Sequence, residues 1–191
     1  MSPVLQSKEP TEKSAKWIWF SGNSAFGILR KRLPRRSGAK SLSIMCAAFD
    51  RYELYLDGRL TLEGPMPGDL PRWIPVDSVR VPISDLGQSL LVEVLVYHSR
   101  LERIHYQGES RPGFWAQLSL DDCRYVTDSS WSATQLNGWK PDTPRMNHLL
   151  DRLEDVDLMD AKWRWREGGN RLELDDAIDW LPACVVDLPD P

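Results

Sequence analysis

The stretch from Phe49 to Pro65 constrains this chain more than any other. Tyr52, Leu54 and Leu56 alternate with Glu53, Tyr55 and Asp57, which is the two-residue period of a strand with one buried face. Asp57-Gly58 follows at once and supplies the positive backbone φ angles that a two-residue primed turn requires. Leu60 and Leu62 then alternate with Arg59, Thr61 and Glu63, so a returning strand is expected, with both leucines on its buried side. Gly64-Pro65 closes the unit, because proline cannot donate to a ladder and restricts the residue before it. A chain built around such a hairpin must find further strands to cover it, since an isolated pair is marginal in water.

Those further strands are readable on both sides. Lys16 to Phe20 reads as a first strand, Phe26 to Leu33 as a second, and Ser41 to Phe49 as a third with Leu42, Ile44, Cys46 and Ala48 on one face. Val79 to Ile83 is a short strand. Leu90 to Tyr97 is apolar on both faces, so it is expected at the centre of a sheet. Phe114, Ala116, Leu118 and Leu120 face inward from another strand, Asp121-Asp122 makes a turn, and Arg124 to Thr127 returns. Arg30-Lys31-Arg32 with Arg35-Arg36 is the one basic cluster and reads as solvated strand edge. The prolines at 65, 67, 71 and 75 mark a long loop carrying Asp69, Arg72 and Trp73, and a loop of that length in a compact domain is usually functional or ordered by its neighbours. Beyond Pro141 the character changes. Thr143-Pro144 could start a short helix with Leu149, Leu153 and Val156 at helical spacing.

Several phrases, in this order, resemble the N-terminal β-sandwich domain of bacterial α-L-rhamnosidases. They are Trp17-Ile18-Trp19; Phe26 to Leu33; Asp50-Arg51-Tyr52 through Gly58 and on to Gly64-Pro65 and Asp77; Arg111-Pro112-Gly113-Phe114; and Thr127-Asp128-Ser129-Ser130-Trp131. The passage from Val81 to Val94 resembles a galactose-binding-like unit, with Gly87 in its glycine place but Ser89 where asparagine is usual. The resemblance implies an all-β fold, a jelly-roll-like (galactose-binding-domain-like) antiparallel β-sandwich over residues 15–140. A disordered leader at 1–14 precedes it, and a linker and partial strand segment at 141–191 follows. Within that segment Trp163 to Trp165 and Leu174 to Ala183 resemble the opening of a second sandwich. They form either strands docked on the first domain or the stump of another. The catalytic carboxylates of that family belong to a large (α/α)6 barrel with no counterpart here, so none is carried over.

Composition narrows the function. The 191 residues carry 24 basic and 28 acidic side chains and a net charge of −4, which argues against nucleic acid and against a polybasic membrane contact. No apolar run reaches the ~20 residues of a membrane helix, and the polar start Met1 to Ser14 lacks an apolar signal core, so a cytoplasmic protein is expected. Three scattered cysteines, Cys46, Cys123 and Cys184, read as buried small hydrophobes in a reducing compartment. His98, His105 and His148 do not fall at zinc-ligand spacing, and no phosphate loop, dinucleotide fingerprint or nucleophile elbow occurs. The carboxylates Asp50, Asp57, Asp69, Asp121, Asp122, Asp175 and Asp176 sit mostly at turns, where aspartate bonds its own backbone. No enzyme is therefore expected.

What remains is binding. Nine tryptophans suit either core filling or stacking on pyranose faces. Arg51, Tyr52, Asp69, Arg72 and Trp73 combine aromatic platforms with planar polar groups on expected loops of a rigid frame, and are the candidate carbohydrate-binding residues. The competing explanation is that Asp50, Arg51 and Tyr52 pin a corner while Trp73 covers the core. No cofactor is expected. Calcium at a loop is the one alternative, although no Asp-rich ligand run appears. The expected partner is a rhamnose-containing glycan or a glycoside hydrolase catalytic domain, with self-association left open. The alternative function is a structural or protein-interaction sandwich that binds no sugar.

Overall fold

The computed structural model describes residues 14–34, 38–65, 74–85, 90–98, 111–140, 143–144, 155, 157, 178–188 and 191. Most of the expected leader, the expected helix around 144–156, the 163–177 segment and the loop residues Asp69, Arg72 and Trp73 lie outside that set. Twelve strands are present among the described residues: β1 (Trp17–Trp19), β2 (Phe26–Arg32), β3 (Ser41–Ala48), β4 (Arg51–Leu56), β5 (Arg59–Gly64), β6 (Asp77–Pro82), β7 (Leu91–Tyr97), β8 (Phe114–Leu120), β9 (Cys123–Val126), β10 (Ser132–Leu136), β11 (Leu181–Pro182) and β12 (Cys184–Val186). They form two six-stranded antiparallel sheets. Sheet A runs β12-β1-β8-β3-β6 with β9 also on β8, and sheet B runs β11-β10-β2-β7-β4-β5. This is the all-β antiparallel sandwich that the resemblance implies.

The two sheets face each other across one core. Leu42, Ile44 and Cys46 from β3 and Leu118 from β8 meet Leu54 from β4 and Val94 from β7 there. Each such side chain contributes roughly 1.5–3 kcal/mol by leaving water. β7 is buried along its whole length and lies between β2 and β4, as its double-sided apolar pattern requires. β2 departs from expectation in part. It is interior, between β10 and β7, but its β10 ladder ends at Arg30, so Lys31 and Arg32 pair with β7 alone. The charges of Arg30 and Lys31 are accommodated locally: the Arg30 guanidinium sits 3.6 Å over the Trp180 ring, and Lys31 donates to the carbonyl and hydroxyl of Ser130 at 3.0 and 2.7 Å.

The hairpin forms as the dipeptide dictates. Asp57 has φ 46° and Gly58 φ 83°, the left-handed pair of a primed turn. The Asp57 carboxylate then accepts from the Leu91 amide at 2.8 Å and fixes the turn to the start of β7. The returning strand differs from its expected pattern. Leu54 pairs with Leu62 but Tyr55 pairs with Leu60, so a bulge absorbs Thr61. One extra residue reverses which face follows. Leu62 therefore packs on the core whereas Leu60 is exposed.

The phrase Thr127 to Trp131 has a structural account. Thr127 is fully buried, and its hydroxyl donates to the Lys16 carbonyl at 2.6 Å while accepting from the Ala116 amide at 3.1 Å. The Asp128 carboxylate accepts from the Ser130 amide at 2.8 Å, an Asx turn. Trp131 enters the core with its indole N–H on the Val126 carbonyl at 2.9 Å. The segment from Leu181 to Val186 then serves both sheets. Leu181–Pro182 adds β11 to β10, Cys184–Val186 adds β12 to β1, and between them the Ala183 amide donates to the Trp131 carbonyl at 2.8 Å. The cysteines are not uniformly buried as expected: Cys46 is, Cys123 is half-buried, and Cys184 is exposed, because β12 is an outermost strand.

Candidate functional site

Alternation along β4 sends Tyr52, Leu54 and Leu56 into the core and Arg51, Glu53 and Tyr55 to the outer face of sheet B. Cross-strand register then assembles a row that no local sequence window contains. Leu136 pairs with Phe26, Phe26 with Tyr97, and Tyr97 with Arg51. In the neighbouring row Ile28 pairs with Leu95 and Leu95 with Glu53. The Phe26 ring lies 4.4 Å from both Tyr97 and Trp139, tilted against the first and stacked on the second. The Arg51 guanidinium is 5.0 Å over the Tyr97 ring, a cation–π contact at the rim of this aromatic group. The Tyr55 hydroxyl donates to the Glu53 carboxylate at 2.5 Å.

These side chains surround a cleft of about 130 Å³ lined by Phe26, Arg51, Tyr52, Glu53, Leu95, Tyr97 and Trp139. That is well below the roughly 300–1,000 Å³ of pockets for drug-sized ligands, so the cleft suits one ring or one end of a longer molecule. Chemically it offers a planar guanidinium with paired donors and a carboxylate acceptor, set against largely buried aromatic rings. Among the described residues that line it there is no nucleophile–base pair.

Of the residues singled out from the sequence, Arg51 stands at this cleft with its side chain exposed. Tyr52 borders it too, but its ring is only 1% exposed and points into the core. Adjacent strand residues cannot share a face, so Arg51 and Tyr52 do not form one platform. The Tyr52 hydroxyl donates to Asp77 at 2.6 Å, and the Cys46 thiol donates to Tyr52 at 3.3 Å. Burial pushes the Cys46 thiol up to about 12 and drives the Tyr52 phenol upward as well, so both stay protonated. A Cβ on Gly64 would come within 2.4 Å of the Asp77 carboxylate and 3.0 Å of the Tyr52 ring. Tyr52, Gly64 and Asp77 thus make a tight tie between β4 and β5 of one sheet and β6 of the other.

Asp50 is buried with its carboxylate 3.7 Å from His98 Nδ1, and His98 meets the Trp19 ring edge-on. The corner before β4 is pinned through that side chain. Asp69, Arg72 and Trp73 lie outside the described residues. Sequence reasoning missed Glu53, Tyr97 and Trp139 as site residues. The outward phase of β4 signalled Glu53, but Tyr97 and Trp139 reach the cleft only through strand register and chain return. Among the described residues no group of three or more histidine, cysteine or carboxylate side chains could hold a metal ion. No helix among them is long and apolar enough to cross a membrane.

No family model and no curated protein matches the sequence. Solved structures do match in fold. A GH78 family rhamnosidase of Bacillus sp. GL1 superposes with a TM-score of 0.74 at 21% identity, over 91% of this chain and 18% of that enzyme. An α-L-rhamnosidase from Aspergillus terreus gives a TM-score of 0.54 at 17% identity, over 92% of this chain and 21% of its own. The α-L-rhamnosidase from Dictyoglumus thermophilum gives 0.53 at 15% identity, over 91% and 21%. The chain therefore spans about a fifth of the length of these α-L-rhamnosidases and has the fold of that part of them.

Proposed function

We propose that this chain is a non-catalytic, carbohydrate-associated β-sandwich module whose sugar contact runs through the Arg51 cleft. The observation that carries the reading is the juxtaposition of the Arg51 guanidinium and the Glu53 carboxylate over the aromatic group Phe26, Tyr97 and Trp139. A guanidinium donates to two vicinal hydroxyls, a carboxylate accepts from a third, and an aromatic wall takes the apolar face of the ring. Asp69, Arg72 and Trp73, which follow Pro65 in the sequence, remain part of the proposed contact. The sugar is a rhamnose-containing glycan, and the module acts in the cytoplasm without a cofactor and without catalysis of its own.

Titration with rhamnose and rhamnose-containing oligosaccharides, followed by tryptophan fluorescence, tests this. A saturable change is expected that Arg51→Ala abolishes. A flat titration with every sugar, or a response that survives Arg51→Ala unchanged, overturns it. The second reading is a packing module that props a glycoside hydrolase catalytic domain and binds no sugar. Its support is the fold match to about a fifth of much longer enzymes. It predicts the flat titration together with a self-associated species, or binding to such a domain, in sedimentation.

A further inference from the structure

The outer face of sheet A carries a second, chemically distinct surface. Leu42, Ile44 and Cys46 face the core, so Ser41, Ser43 and Met45 face outward. Register extends this to a straight row across four strands. Arg80 of β6 pairs with Ser43 of β3, Ser43 with Ser119 of β8, and Ser119 with Arg124 of β9. The next row is Ser78, Met45, Gln117 and Val126, where the polar surface meets the apolar cluster of Trp17, Ala47, Phe49 and Trp115. Arg80 and Arg124 are exposed, the two serines of the first row are half-buried, and Met45 is 46% exposed between the arginines. Arg80 Nε donates to Ser41 Oγ at 2.9 Å, and Arg124 donates to Gln117 Oε1 at 2.5 Å. Both guanidiniums are thereby held on the face. Among the described residues no outward position of these four strands is acidic. Asp121 and Asp122 lie in the turn beyond the row, and the Asp121 carboxylate accepts from the Lys40 amide at 3.1 and 3.3 Å.

We infer that this face binds an extended acidic glycan lying across the strands. Three strand spacings separate the two arginines, roughly 14 Å at about 4.8 Å each. A single small anion reaches one of them, whereas a chain with spaced carboxylates reaches both. Between them the surface is flat, with two serine hydroxyls, an amide and the exposed thioether of Met45, which is donor–acceptor chemistry for sugar hydroxyls and a soft contact for a ring face. Among the described residues of these four strands there is no exposed aromatic row for nucleobases. The protein as a whole carries −4, so retention by a polyanion opposes the net charge and must be local.

Native electrophoresis through gels containing polygalacturonate tests the inference, with hydroxyethylcellulose gels as the neutral control. Retardation in the first gel alone is expected, weakening as salt screens the contacts. Arg80→Ala and Arg124→Ala should each weaken it about tenfold, as loss of a charge-assisted hydrogen bond does, and Ser119→Asp should abolish it while leaving the circular dichroism unchanged. No retardation, equal retardation in both gels, or retention in the double arginine variant overturns the inference. So does equal retardation by poly-L-glutamate, which would mean that charge alone is read. A protein that fails here yet answers rhamnose by fluorescence loses only this second surface.

Discussion

The two outer faces of the sandwich are built from the same pleat and each carries an apolar cluster, yet they present different polar groups. On sheet B the outward positions hold Phe26, Tyr97 and Tyr55, and Trp139 folds over them, leaving a small cleft whose polar groups are one cation and one carboxylate. On sheet A the outward positions between two guanidiniums hold serines, a glutamine and a methionine, and a separate apolar cluster of Trp17, Ala47, Phe49 and Trp115 lies beyond them. The inward positions, by contrast, are mostly aliphatic on both sheets, with Tyr52, Phe114 and Trp131 among them. One half of each strand's alternation therefore specifies that there is a sandwich, and the other half specifies what each side of it can touch.

The comparison breaks first at whatever both faces share. Trp131→Ala should lower stability by about 3–5 kcal/mol, as large-to-small changes at buried aromatics do. It should weaken sugar response and polygalacturonate retention together; urea unfolding beside both binding assays reads this, and loss of one alone would mean that the faces do not rest on a common frame. Next comes the tie between the sheets. Tyr52→Phe removes the hydroxyl that Asp77 accepts from and should cost about 1–3 kcal/mol, visible as a lower urea midpoint.

A third test is alkaline. The folded Cys46 thiol holds its proton up to about 12 against 9.0 ordinarily, so the folded state binds that proton more tightly than the unfolded chain. The stabilisation is complete below about pH 9 and is lost as pH rises through about 12. Stability curves should fall in that window, and less in Cys46→Ala. At pH 8 iodoacetamide should label exposed Cys184 first and Cys46 only on unfolding, as mass spectrometry would show. The smallest effects sharpen the contrast most. Arg51→Ala, Arg80→Ala and Arg124→Ala should each change stability by less than about 1 kcal/mol, yet Arg51→Ala should remove the fluorescence response, which the other two leave intact.

Much of the frame was legible in the sequence because its signals are local. Period-two runs placed β3 and β8, a run apolar on both faces placed β7, and Asp57-Gly58 placed the hairpin turn. What failed was whatever depends on a partner strand. The bulge at Thr61 turned Leu60 outward, and no residue within β5 announces it. The basic run at 30–32 read as an edge; β2 is interior, yet Lys31 and Arg32 lie past the end of the β10 ladder, and where a ladder ends is a property of the sheet. Leu181 to Val186 read as either docked strands or the opening of another unit, and only pairing with β10 and β1 shows where it goes. At the cleft, Arg51 could be found from its residue type and place, but its companions come from β2, β7 and the turn after β10. Tyr52 was named for its neighbour's sake, and the pleat separates the two.

The strand pair contributed by Leu181 to Val186 has a practical meaning. Six residues lie along the rims of both layers at once, like a zip whose slider closes two tracks. Anyone excising the sandwich for grafting elsewhere must carry them along. A cut after Trp139 would strip the margin from β10 and from β1 in one stroke, exposing two raw ladders to the nearest stray chain.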